Sequence, residues 1–255
     1  MKITNPAFDY DRKNHNYSEI RKADPRIGMY IQWSLKTCDT VLNVGAGTGS
    51  YEPDDKYVIA VEPSYVMRAK RLDLGRNPAI NAKADNLPFD DQSFDGAMAV
   101  LTIHHWPDLQ AGLLEIKRVS KKKISILTYD PEKLNVFWNA KYFPQLIEIE
   151  RNRYPKLDQI AEYLGEKLTV TNVKIPLDCT DGFQEAFYGR PEAFLQEEVR
   201  NAQSAWGFLD KEIENQYVKR LSDDLASGEW DRMFGYHRKL PEFEGAFRLL
   251  EIDLN

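Results

Sequence analysis

Three glycines, Gly45, Gly47 and Gly49, fall within the stretch VLNVGAGTGSY, directly after an apolar run that reads as a buried strand. Glycine there permits positive φ and removes the Cβ, so a ligand can lie against the main chain. Two ligand classes fit such a loop. A dinucleotide wants GxGxxG opening a helix whose N-terminus meets a pyrophosphate. An adenosyl ligand needs no phosphate site. The spacing here is GxGxG, and Tyr51-Glu52-Pro53 follow, so no good helix start carries the third glycine. Glu62 closes the next apolar run, VIAVE, where a carboxylate can accept hydrogen bonds from both hydroxyls of a ribose. Asp85, in AKADNLPFDD, is a candidate acceptor for an adenine amino group, with Leu87 against the ring. Singly, each has a plainer account: a tight turn, a surface Glu before proline, an Asx-turn. In this order, each expected at a strand end, they point to one site.

The elements that must hold these residues alternate. TVLNVG, KYVIAVEPS, DGAMAVLTIHHW and KKISILTYD each contain a strand-like run, while LQAGLLEIKRVS has helical spacing, with Leu109, Leu113, Leu114, Ile116 and Val119 on a broad face. A further helix, RIGMYIQWSLK, is expected after Asp24-Pro25. Strands alternating with helices predict an α/β fold, a parallel sheet with helices on both faces. After Asp130 the rhythm changes to helices, returns to strand in KLTVTNVKIPLDC, becomes helical again and ends on FEGAFRLLEIDL, a final strand. The expected division is an N-terminal helical arm (1–36), a ligand-binding core (37–130), a helical insertion (131–165) and the rest of the sheet (166–255) with a second insertion near 181–235, making one compact domain with a cap.

The chain resembles class I S-adenosylmethionine-dependent methyltransferases, of the small-molecule kind akin to ubiquinone and menaquinone biosynthesis methyltransferases, over residues 38–130. VLNVGAGTGSY resembles the first motif of that family and VIAVEPSYVMRAK the second. AKADNLPFDDQSFDGAMAVLTIHHWPD resembles the adenine-side loop running into the fourth strand. The resemblance implies a Rossmann-like, seven-stranded, mostly parallel sheet whose last strand is antiparallel. It implies S-adenosyl-L-methionine as cofactor and S-adenosyl-L-homocysteine as product. Gly45, Ala46, Gly47 and Gly49 would surround the methionine part, and Glu62 would hold the ribose, bordered by Pro63 and Met67. Asp85, Asn86 and Leu87 would lie at the adenine, and the main chain from Leu101 to Ile103 would face the amino group. The family usually has Asp where this chain has Asn43; the amide keeps donor and acceptor capacity but loses the charge.

On the acceptor side, His105 and then His104, in HHW just past the fourth strand, are the candidate base or orienting groups; a packing or capping role suits either histidine equally well. No metal site is expected, because adjacent histidines without a Cys or Glu-x-x-His partner make a poor ligand set. Tyr17 and Arg21 stand four apart in the N-terminal arm, placed to share a helical face and meet the cofactor carboxylate, with Tyr10 nearby on the acceptor side. Trp138, Tyr142 and Phe143 in the first insertion and Tyr188 in the second are candidates to line the acceptor pocket, against the commoner fate of such rings as core.

The formal net charge of -6 argues against a nucleic-acid partner, since phosphates would be repelled. LTIHHW stands where base-amine methyltransferases carry an NPPY-type motif. The two cysteines, Cys38 and Cys179, form no CxxC pair, and the polar start MKITNPAFDYDRKNHNY leads to no expectation of a signal peptide. No apolar run approaches the roughly 18 residues that span a bilayer. A cytoplasmic protein acting on a small-molecule acceptor, without membrane or nucleic-acid partners, is the expectation; oligomeric state is open. The alternatives are a catalytically silent adenosyl-binding protein, favoured by Asn43 alone, an NAD(P)-dependent oxidoreductase, and an RNA or protein methyltransferase, with the acidic charge and the LTIHHW stretch weighing against action on nucleic-acid bases.

Overall fold

A computed structural model describes residues 20–254. Tyr10 and Tyr17 lie outside them. The first helix, α1 (Pro25–Ser34), starts where Asp24 accepts from the Arg26 N–H, with proline at its first position. Then follow β1 (Thr40–Val44), β2 (Tyr57–Val61), α2 (Tyr65–Asp73), β3 (Ala79–Ile80), β4 (Phe94–Val100), α3 (Leu109–Val119) and β5 (Ser120–Tyr129). The sheet is completed by β6 (Thr169–Asn172) and β9 (Phe247–Asp253) in the order β3-β2-β1-β4-β5-β9-β6. β1 to β5 run parallel, and β9 runs antiparallel to both neighbours, β5 and β6. The expected seven-stranded Rossmann-like sheet is therefore present. The strand read in KLTVTNVKIPLDC divides: its second half is β7 (Ile175–Pro176), which pairs with β8 (Glu242–Phe243) in a separate ribbon.

Alternate residues of the central strands feed two buried clusters, one on each face. Val41, Met98, Leu127 and Leu249 point one way, and Leu42, Ala97, Ile126 and Leu250 the other. On the second face α3 packs beside α6 (Leu157–Leu164), through Leu113 and Ile116 against Ile160 and Leu164. Leu114, expected on the buried face of α3, is 47% exposed; the stripe of three- and four-residue steps passes it by.

The first face carries the cap, made of α4 (Asn139–Tyr142), α5 (Pro144–Arg153), α7 (Glu197–Asn201), α8 (Lys211–Ser227), α9 (Glu229–Phe234) and short 3₁₀ turns. Its centre is aromatic: the Trp138 ring lies 5.5 to 6.1 Å, centroid to centroid, from those of Tyr142, Phe143, Phe194 and Trp230. No helix among the described residues is long and apolar enough to cross a membrane.

Candidate cofactor and acceptor site

Strand order reverses between β1 and β4, and the crevice at such a switch point is where open α/β sheets bind ligands. A cavity of about 390 Å³ opens there, within the range of small-molecule sites. Its walls come from the ends of β1, β2 and β4. They include Asn43, Gly45, Ala46 and Gly47; Glu62, Pro63 and Met67; and Leu101, Thr102 and His105. Residues 45–56 form turns rather than a helix, so no helix N-terminus faces the cavity to meet a pyrophosphate.

Gly47 has φ +52° and nothing within 4 Å of where a Cβ would stand, so its missing side chain leaves room on the cavity side. Gly49 owes its identity to something else. It does not line the cavity; a Cβ there would stand 2.6 Å from Arg71 Nη1. Arg71 is 1% exposed and grips Glu52 with two hydrogen bonds of 2.8 Å, while its Nε donates to the Asn77 carbonyl. Glu52 Oε1 also accepts from Asn43 Nδ2 at 2.9 Å.

That contact accounts for the amide at position 43. An aspartate would set a second carboxylate against Glu52, whereas asparagine donates. Asn43→Asp is expected to cost about 1–3 kcal/mol near pH 7, the penalty of a buried hydrogen bond exchanged for like charges. One carboxyl of the pair would titrate above its unfolded value, so the folded state binds the extra proton. The lost stability should then return as the pH falls, which urea denaturation at about pH 7 and about pH 5 would measure. Asn43 Oδ1, buried and lining the cavity, has no hydrogen-bond partner among the described residues. An acceptor waiting there fits an ammonium-bearing ligand.

Glu62 is 7% exposed and its carboxylate bridges two segments: Oε2 accepts from Gly47 N and Oε1 from Ser64 N, both at 2.8 Å. Ser64 caps α2 by accepting from Met67 N, which sets Met67 against the cavity. The carboxylate thus fixes the glycine loop at the end of β2. Leu101 sits at φ +50° and Tyr51 at +64°; a bulky side chain in the left-handed region is strained, and both border the cavity. Tyr51 is held by its hydroxyl, which donates to Asp181 at 2.8 Å.

On the adenine side, Asp85, Asn86 and Leu87 do not line the cavity; Lys83 and Ala84 do. Leu87 is instead 4% exposed and packs in the buried cluster with Leu113 and Ile116 of α3, which also ties down its main chain: Glu115 accepts from Leu87 N, and Arg118 donates to the Leu87 carbonyl. Arg21 lines the cavity as expected of it, but its guanidinium is engaged by Asp181 at 2.6 Å.

A second, smaller cavity of about 40 Å³ adjoins the first, and the residues common to both are Arg21, Leu101 and His105. His104 lines only the second. His105 Nδ1 stands 3.3 Å from Arg153 Nη2. A guanidinium only donates, so Nδ1 is the acceptor and the neutral ring carries its proton on Nε2. Burial, with the charge of Arg153 adding to it, holds this imidazole well below the ordinary histidine range, and His104 is lowered likewise. Of the two roles open to His105, orienting a substrate through Nε2–H suits this state and accepting a proton does not.

Trp138, Tyr142, Phe143 and Tyr188 line neither cavity. They are 0–2% exposed and pack on one another, with the Trp138 indole donating to the Tyr188 carbonyl. Of the polar side chains that face the second cavity, Tyr129, Glu150, Tyr154, Gln184, Gln203 and Ser204 were not among the sequence candidates. A signal for Glu150 existed: Phe143, Ile147 and Tyr154 mark a buried helical stripe on which position 150 also falls.

A profile of the methyltransferase-domain family matches residues 42–127. A solved structure of a putative methyltransferase from an antibiotic biosynthesis pathway of Anabaena variabilis is 30% identical, superposes with a TM-score of 0.85, and covers 93% of this chain and 100% of its own. Among curated proteins, the human "Probable tRNA methyltransferase 9B" is 28% identical over 44% of this chain. The rice chloroplastic 2-methyl-6-phytyl-1,4-hydroquinone methyltransferase 2 is 24% identical over 53% of this chain and 40% of its own length. The match spans only 25% of the human relative. With a cavity that suits an adenosyl ligand and a relative alike over its whole length, this chain belongs to the class I S-adenosylmethionine-dependent methyltransferases.

Proposed function

We infer that the protein methylates a small-molecule acceptor. The observation that carries this reading is the second cavity: it meets the cofactor cavity at Leu101 and His105 and is walled by cap side chains. Residues 131–165 and 181–235 supply the cap of a single compact domain in this reading.

When bound, S-adenosylmethionine supplies an electrophilic methyl group on a sulfonium. Glu62 is assigned to the ribose hydroxyls, Asn43 Oδ1 to the ammonium, and Gly45, Ala46, Gly47, Pro63 and Met67 to the walls around them. Arg21 and Leu101 stand at the passage between the two cavities. His105 orients the acceptor through Nε2–H. The remaining demand on the protein is to hold the acceptor in line while water is excluded, which can supply much of the rate.

The rice relative is named for a phytyl-bearing hydroquinone acceptor and the human relative for tRNA. The net charge of -6 and the small acceptor cavity support the former class and an absence of nucleic-acid partners. Two free, buried cysteines agree with a cytoplasmic setting.

Calorimetric titration with S-adenosylmethionine, S-adenosylhomocysteine and NADH should show both adenosyl ligands binding and no heat from NADH. Transfer of labelled methyl from S-adenosylmethionine to bulk tRNA would overturn the small-molecule reading.

A further inference from the structure

The second cavity is bordered by five buried polar atoms that have no hydrogen-bond partner among the described residues: Glu150 Oε2, Gln203 Oε1, Gln184 Nε2, Tyr129 Oη and His104 Nδ1. Each residue is at most 9% exposed. A whole folded protein leaves only a few such atoms unsatisfied per hundred residues. Five around one small space mark a place built for a polar guest. Their chemistry is uneven: Gln203 Oε1 accepts only, Gln184 Nε2 donates only, Glu150 Oε2 accepts as a carboxylate, a form that burial disfavours and the Arg153 charge favours, and the tyrosine and histidine can do either. The guest must therefore bring donor hydrogens.

The guanidiniums nearby do not reverse this. Arg21 is bonded to Asp181, and Arg153 donates to Ser204 Oγ at 3.0 Å and to His105, with Glu150 Oε2 at 3.5 Å from its Nη1. An entering carboxylate would face Glu150 and Gln203; Arg153 does not line the cavity, and its Nη1, which has no hydrogen-bond partner among the described residues, faces the Glu150 carboxylate. The walls are rings: His104 lies 4.1 Å from Tyr154, which meets Tyr129 edge-on at 5.2 Å, with Phe183 beyond.

We propose that this compartment takes the nucleophile-bearing end of the acceptor, an uncharged O–H or N–H group carried on a planar ring, and that Glu150 selects it by accepting its hydrogen bond. The inference rests on the small-molecule methyltransferase reading and narrows its substrate class. A volume of about 40 Å³ suits the polar edge of such a ring, or about three waters.

The test uses the 255-residue chain saturated with S-adenosylhomocysteine, whose binding is measured first; failure at that step counts against the cofactor reading. Phenol, anisole and benzoate are then titrated. Phenol is expected to bind about tenfold or more tightly than either of the others, a difference of about 1.4 kcal/mol. Glu150→Leu should reduce that preference to about twofold, and Glu150→Gln, which keeps a carbonyl acceptor, should retain part of it, with affinity for S-adenosylhomocysteine unchanged in both. If Glu150→Leu does not fold, Gln203→Leu, which removes the other acceptor, is read in its place. No phenol binding, as waters alone would give, or equal binding of anisole, or a preference for benzoate, overturns the proposal.

Discussion

Arg71→Ala is expected to remove about 3–5 kcal/mol of stability, the cost of breaking a buried ion pair from one side. Arg71 and Glu52 are 1% and 8% exposed, and alanine would leave Glu52 with a single neutral donor, the Asn43 amide. The Asn77 carbonyl would lose its donor as well. For a small domain with a total stability of about 5–15 kcal/mol, that is a large fraction. Urea denaturation measures it. The mechanism has its own check: adding Glu52→Gln to Arg71→Met removes the orphaned charge, and the double variant should be more stable than Arg71→Met alone. A double variant equally unstable would mean that packing around the arginine, not its charge, holds this corner.

Glu62→Ala should weaken binding of S-adenosylhomocysteine by roughly 100-fold or more. Two charge-assisted hydrogen bonds to a ribose contribute about 1.5–3 kcal/mol each, and every 1.4 kcal/mol is tenfold. The same carboxylate holds Gly47 N and Ser64 N, so part of the loss would come from a loosened glycine loop. Glu62→Gln separates the contributions. Its carbonyl keeps one of the two backbone contacts, while its NH₂ faces the other donor. Calorimetry should place it between wild type and alanine. An unchanged affinity in Glu62→Ala would move the ribose elsewhere.

What was legible in the sequence was what local chemistry dictates. The glycine run, the carboxylate closing β2 and the apolar strands announce themselves through backbone freedom and burial, and they give the crevice. β3 was not read, because its two residues pair only with Ala60 and Val61 and leave no pattern. The cap aromatics were too easily given a pocket: rings in a helical insertion serve its own core first, as Trp138 and Tyr142 do. Gly49 looked like one more ligand contact because nothing in the sequence says that Arg71 folds back beneath it. The polar lining of the second cavity was hidden for a related reason. Glu150, Gln184 and Gln203 come from three separate cap segments, and only tertiary packing brings them together beneath His104.

The position of β9 also shapes how the molecule comes to be. β6 has no neighbour in the sheet other than β9, and β9 takes its other side from β5. On the ribosome, β5 emerges with one edge open and β6 waits unpaired through the synthesis of the whole second insertion. Glu185 of the cap waits too, since its Oε1 accepts from Ala246 N just before β9. The strand made after everything it joins is the one that closes the sheet and seats the cap, so the nascent chain carries exposed strand edges until residues 247–253 arrive.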